Sequence, residues 1–159
     1  MLWNEDIPKV AFKDDRGNLA EVNLIAGHLK GQSALSPNPD SWASDQENHV
    51  QIWTMKLQPN AKFTISGINE EVTRTLYFYE GKSINIGETE ISGKRLIHLN
   101  SKEDVVIKNS TEVSCLFFLQ GKPINEPLVQ HGPFVANSQE EIQEAVKVYR
   151  ETQFGGWPY

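Results

Sequence analysis

Cysteine is all but missing from this chain. Its 159 residues include one, Cys115, so no internal disulfide can form, and that usage suits a reducing compartment. Cys115 lies in the apolar run Cys115-Leu116-Phe117-Phe118-Leu119, where a small buried thiol is the expected occupant; a reactive one would want an exposed, electropositive setting. Long apolar runs are missing too: none approaches the roughly 20 residues that span a bilayer. The first residues carry Glu5, Asp6, Asp14 and Asp15 without the apolar stretch of a signal peptide, so a cytoplasmic location away from membranes is expected. Basic residues are outnumbered, 15 against 21 acidic ones for a net charge of −6. They are also scattered, which argues against the basic stripe of a nucleic-acid binder. Finally, there is no phosphate-cradling glycine loop, no dinucleotide fingerprint, no Cys-x-x-Cys and no His-Glu-x-x-His, which removes several common enzyme classes.

What the chain does have is short strand-like segments parted by turn residues. The segments are Lys9 to Phe12, Ala20 to Ala26, Val50 to Leu57, Lys62 to Ile65, Arg74 to Tyr79, Ile84 to Ile86, Arg95 to Leu99, Val105 to Lys108 and Val113 to Leu119. This spacing is that of a sandwich or barrel. In Val50 to Leu57 the side chains of Gln51, Trp53, Met55 and Leu57 share one face and those of Val50, Ile52, Thr54 and Lys56 the other, and most of the strand reads as buried. Asp15-Arg16-Gly17-Asn18, Pro59-Asn60, Glu80-Gly81, Ser92-Gly93 and Gly121-Lys122-Pro123 supply turn chemistry. No helical stretch separates the strands, so parallel crossovers are excluded and the sheets should be antiparallel. One helix is expected at the end of the chain. Ser138-Gln139-Glu140-Glu141 reads as a capping box, with Asn137 as an alternative cap. Ile142, Ala145, Val146 and Tyr149 follow at i, i+3, i+4 and i+7 as one apolar stripe, and Gly155-Gly156 with Pro158 should stop the helix. His28 to His49 shows neither period, and a loop of that length in a compact domain is a lid, an interface or a mobile segment.

Candidate chemistry is sparse. Asp45-x-Glu47-x-His49 would offer oxygen and nitrogen ligands on one face if the segment were extended, although a solvated charged loop is the ordinary explanation. His98 reads as a half-buried or surface histidine, and Glu70-Glu71 as solvated turn charge. Trp53 or Phe78 would line a cup if the domain bound a small molecule, and core packing explains both equally well.

The segment from Gly121 to Asn137, with its Pro-Leu-Val-Gln-His-Gly-Pro-Phe core, followed by a capped helix and Phe154-Gly155, strongly resembles the closing signature of the pirin family. Arg74-Thr75-Leu76-Tyr77-Phe78-Tyr79-Glu80-Gly81 resembles the strand and turn of a cupin's first motif. Asp6-Ile7-Pro8, Ile25-Ala26-Gly27 and Ser36-Pro37 resemble the beginning of the pirin C-terminal domain. The resemblance implies an all-β, antiparallel, cupin-type double-sheet barrel of jelly-roll kind with one C-terminal α-helix. It divides the chain into a barrel over 1–136 and a helix and tail over 137–159. It also supplies a metal pattern to test. Anchored on Gly81, the cupin motif places Arg74 where a ligand Glu belongs and Ile68 with Glu70, or Gly67 with Asn69, where His-x-His belongs. Anchored on Gly93, the second motif places Asp104 at the last ligand position. Histidine is absent from all of these, so no cofactor is expected, and Arg74 would repel a cation held by Glu70 and Asp104. The implied role is that of a non-catalytic domain acting through packing, interaction or dimerisation. Its partner would be an N-terminal cupin domain or a second copy of the chain, as a homodimer. The rival reading is a small-molecule-binding or quercetin dioxygenase-like cupin. Gln130 and His131 are the polar pair of the tail and the candidate ligand contacts. Val146, Tyr149 and Trp157 are the candidate interface.

Overall fold

The computed structural model describes residues 3–156. Fourteen strands follow in chain order: β1 (Lys9–Lys13), β2 (Leu19–Ala26), β3 (His28–Leu29), β4 (Gln32–Ser33), β5 (Gln51–Leu57), β6 (Lys62–Ile65), β7 (Thr73–Glu80), β8 (Ser83–Ile86), β9 (Thr89–Ser92), β10 (Arg95–His98), β11 (Val105–Asn109), β12 (Ser114–Gly121), β13 (Val129–His131) and β14 (Phe134–Ala136). The helix α1 spans Gln139–Thr152. No helix among the described residues is long and apolar enough to cross a membrane.

Up to Pro123 the strands form two main sheets, with orders β1-β2-β5-β12-β7-β10 and β6-β11-β8-β9, and every pairing is antiparallel. This is the double-sheet cupin architecture expected from the sequence. Among the described residues no strand pairing joins the two main sheets, so they are not closed into a barrel by hydrogen bonds. The alternation that predicted the strands also builds the core. On β12, Ser114, Leu116, Phe118 and Gln120 point inward and are buried, while Cys115, Phe117 and Leu119 are half-buried on the outer face. Trp53, Met55, Leu57, Leu76 and Phe78 join Leu116 and Phe118 from one sheet, and Phe63, Ile65, Ile84 and Ile107 meet them from the other. Each large apolar side chain so buried contributes roughly 1.5–3 kcal/mol.

Of the two readings left open for Trp53 and Phe78, core packing holds, since they are 4% and 2% exposed. Several expectations are corrected. Cys115 is not fully buried; it faces outward beside Tyr79 and Glu80 at a β-bulge, where the register of β12 on β7 shifts between Cys115 and Leu116. The outer face of β5 is half-exposed, so only one face of that strand belongs to the core. The stretch 28–49 is not structureless. It holds the β3–β4 hairpin and two 3-10 turns, Trp42–Ser44 and Gln46–Asn48. The Trp42 indole donates to the Lys122 carbonyl at 3.2 Å, and Lys122 N donates to Asn48 O at 2.9 Å, which stitches the segment to the end of β12.

A second compact unit begins at Ile124. In it β13 and β14 form a hairpin, an element the Pro-Gly-rich sequence concealed, and α1 packs on that hairpin. The capping box forms: Ser138 Oγ accepts from Glu141 N at 3.1 Å, and the Glu141 carboxylate accepts in turn from Asn137 N at 2.9 Å. Of the expected stripe Ile142 is buried, Ala145 and Val146 are half-buried, and Tyr149 is 42% exposed. The Tyr149 ring lies 6.0 Å from that of Phe134 and 5.3 Å from that of Phe154. The helix ends before its glycines, because Gln153 takes the left-handed conformation and returns its N–H to Tyr149 O. Trp157 and Pro158, named above, lie outside the described residues.

Candidate functional site

The inward face of the six-stranded sheet changes character at one end. Strand register sets Gln51, Gln120 and Arg74 side by side on β5, β12 and β7, and all three are buried, at 5%, 7% and 2% exposure. Directly below them lies the apolar row Trp53, Phe118 and Leu76. Buried polar side chains need partners, and this row finds them. Gln51 Oε1 accepts from His28 N at 3.1 Å, and Gln120 Nε2 donates to His49 O at 3.0 Å. Gln120 Oε1 accepts from Arg74 Nε at 2.8 Å.

The Arg74 guanidinium then reaches three backbone segments. Nη2 donates to Ser66 O, and Nη1 lies 3.4 Å from Asn100 O and 3.5 Å from Glu103 O. Asp104 belongs to the same corner: its Oδ1 accepts from Gly67 N at 2.8 Å. Burial pushes the Arg74 pKa down, and the Asp104 carboxylate opposes that shift. A guanidinium is never discharged under ordinary conditions, so the result is a buried, permanently positive fork held by neutral carbonyl and amide oxygens.

The positions that the cupin resemblance assigns to a metal do not fit one. The position of the ligand Glu carries this guanidinium. Ile68 is 37% exposed, and Glu70 is exposed and ion-paired with Lys102. Among the described residues no group of three or more His, Cys, Asp or Glu side chains is placed to hold a metal ion. The Asp45, Glu47 and His49 alternative fails for a different reason, because its backbone is not extended. Asp45 caps a 3-10 turn by accepting from Glu47 N at 2.9 Å, and His49 takes the left-handed conformation at φ 51°. Glu47 and His49 do line a cavity of about 540 Å3 with His28, Gly67 and Lys122, and Lys122 is itself paired with Glu71 at 3.0 Å. His98 is exposed on the edge strand β10, with Nδ1 3.5 Å from Thr75 Oγ1.

In the second unit Gln130 and His131 are exposed on β13. Gln130 Nε2 donates to Gly132 O at 3.3 Å, so that side chain braces its own hairpin turn. What sequence reasoning missed was the partnership of Arg74 with Gln120. The signal that would have found it was a polar residue at an inward position of each of three neighbouring strands.

Comparison with known proteins decides the family. The model of the pirin C-terminal cupin domain matches residues 52–155. The chain belongs to the pirin family. A pirin-like protein of Arabidopsis thaliana is 31% identical over 159 residues, which is 97% of this chain and 54% of that protein. A Pseudomonas aeruginosa protein named as a quercetin 2,3-dioxygenase is 42% identical over 78 residues, 48% of this chain and 27% of its own length. Among solved structures, a quercetin 2,3-dioxygenase from Acinetobacter baumannii superposes with a TM-score of 0.76 at 25% identity, covering 98% of this chain and 50% of that one. Where the match runs along nearly all of this pirin-family chain, the chain spans about half the length of the relative.

Proposed function

We propose that this pirin C-terminal cupin domain does no chemistry at a metal and serves in domain packing, protein interaction or dimerisation. The observation that supports this reading is the buried Arg74 guanidinium at the position where the cupin pattern would carry a ligand carboxylate. A fixed positive charge there repels a second cation, and its hydrogen bonds occupy the oxygens of that corner. The partner in this reading is an N-terminal cupin domain or a second copy of the chain, as a cytoplasmic homodimer in the latter case. The second unit offers the apolar surface for it, with Leu128, Val135 and Tyr149 exposed. Elemental analysis of the chain purified without chelators tests the first part: less than a tenth of an equivalent of iron, nickel, copper or zinc is expected, and about one equivalent bound through residues of the double sheet would overturn it.

The names of the relatives favour a second reading, a quercetin dioxygenase-like activity. Oxygen uptake with quercetin and added iron or copper separates the two. Turnover abolished by Glu70→Ala with Asp104→Ala would establish the second reading, and no turnover is the result the first one expects.

A further inference from the structure

The two flanks of the double sheet are built differently. On one flank the edge strands are β1 and β6. That flank is bridged at its core, where the rings of Phe12 and Phe63 meet at 5.7 Å and Asp14 Oδ2 accepts from Lys62 N at 3.0 Å, and the depression of about 560 Å3 beside Asp14 and Lys62 is lined by polar and charged residues. On the other flank the edge strands are β9 and β10, which follow each other through the Gly93 turn but are not hydrogen-bonded as a ladder. There the protein's own side chains leave a cleft of about 440 Å3. Ile86 and Ile91 supply one wall and Ile97 and Leu99 the other, and all four pack against the main core while staying half-exposed. The rim carries His98, Glu103 and Asp104, and no Lys or Arg side chain is among the lining residues.

These features have the proportions of a small-molecule site. The volume falls toward the small end of the range for ligand pockets, roughly 300–1,000 Å3, and an apolar lining with a few polar groups at one end is their usual composition. The rim is also braced from within, because Arg74 Nη1 approaches the carbonyls of Asn100 and Glu103, and Asp104 holds Gly67 N. A rim ordered in advance reduces the entropy lost on binding. Charge selects the occupant. Glu103 and Asp104 are among the lining residues and no lysine or arginine is; Asp104 is partly committed to Gly67 N and to the charge of Arg74, so Glu103 carries most of the preference against an organic anion. A hydrogen-bond-donating head has acceptors in reach.

We propose that the cleft between β9 and β10 is a binding site for a small apolar molecule whose head is a neutral or cationic hydrogen-bond donor. The walls take the body by burial, and Glu103 and Asp104 take the head. The site shares Asp104 with the positions of the cupin metal pattern but takes none of the others, and it stands whether or not the domain has a catalytic role.

The test uses the full 159-residue chain with isoleucine methyl labelling and two matched probe pairs. Tryptamine and indole-3-acetate share an aromatic body, and cyclohexylamine and cyclohexanecarboxylate share an aliphatic one. At least one amine should shift the methyl signals of Ile86, Ile91 and Ile97 saturably, and its matched carboxylate should bind at least tenfold more weakly. Ile91→Trp, which fills the cleft, should abolish the shifts. Glu103→Gln, a change on the exposed rim that leaves the core untouched, should narrow the amine-to-carboxylate ratio at least threefold. The proposal is overturned if neither amine shifts those methyls saturably, if a carboxylate binds as tightly as its amine, or if a folded Ile91→Trp chain still binds.

Discussion

Replacing Arg74 by methionine removes the cation while keeping an unbranched stem of similar reach, so the effect isolates the guanidinium. Two of its hydrogen bonds are short, to Gln120 Oε1 at 2.8 Å and to Ser66 O. The two at 3.4 and 3.5 Å are at the limit and contribute little. Hydrogen bonds to a charged group are worth about 1.5–3 kcal/mol each, and acceptors left buried without a donor lose comparable free energy. Against that stands relief from desolvating the charge, which is why whole buried ion networks have been replaced by apolar groups without loss. Here only the cation is exchanged and its acceptors remain, so the loss should win, by about 3 kcal/mol. With a urea m-value of about 2 kcal/mol/M, that moves the unfolding midpoint down by roughly 1.5 M. Arg74→Lys should recover less than half of it, because one ammonium cannot reproduce a planar fork that reaches Gln120, Ser66 and the 100–103 segment together. A midpoint in Arg74→Met equal to or above that of the wild type, at unchanged m, would refute the claim that this guanidinium holds the corner together.

Three further outcomes are expected. The Asp14 carboxyl is lowered from 3.8 to about 2, first by the Asn18 side chain and then by the backbone amides of Asn18, Arg16 and Lys62. A depressed folded-state pKa gives stability that is present above the unfolded value and lost as pH falls through the folded one, so the stability gap between wild type and Asp14→Ala should narrow as pH falls from about 4 through 2, and a gap as wide at pH 2 as at pH 6 would contradict this. Burial, with the Glu80 carboxylate next in effect, pushes the Cys115 thiol up, so its alkylation at neutral pH should be slower than that of a free thiol, as a rate-versus-pH profile would show. If the chain self-associates through its second unit, sedimentation of Val146→Asp with Tyr149→Asp should show a monomer with an unchanged strand signal by circular dichroism. A wild type that is already monomeric at high concentration would remove that interface.

The strands were legible because alternation is local. Each of β5, β7 and β12 writes its inward face at every second residue, and Leu, Met, Phe and Trp fill most of those positions without reference to the rest of the chain. The capping box of α1 is equally local, a four-residue pattern whose two hydrogen bonds close within that turn. The pirin tail was readable for the same reason, since Pro and Gly fix a backbone path by themselves. Sequence could also say that Arg74 stands where a ligand carboxylate would, but not that it is buried with partners. Those partners are one amide and the carbonyls of residues 66, 100 and 103. Every residue has a carbonyl, so no side-chain pattern announces which ones will converge. The hairpins β3–β4 and β13–β14 were hidden because strands of two or three residues are too short to show a period. Which flank of the double sheet is bridged by aromatic rings and which opens onto apolar walls was decided only in three dimensions, where Phe12 meets Phe63 across the first seam and, among the described residues, no aromatic pair bridges the second.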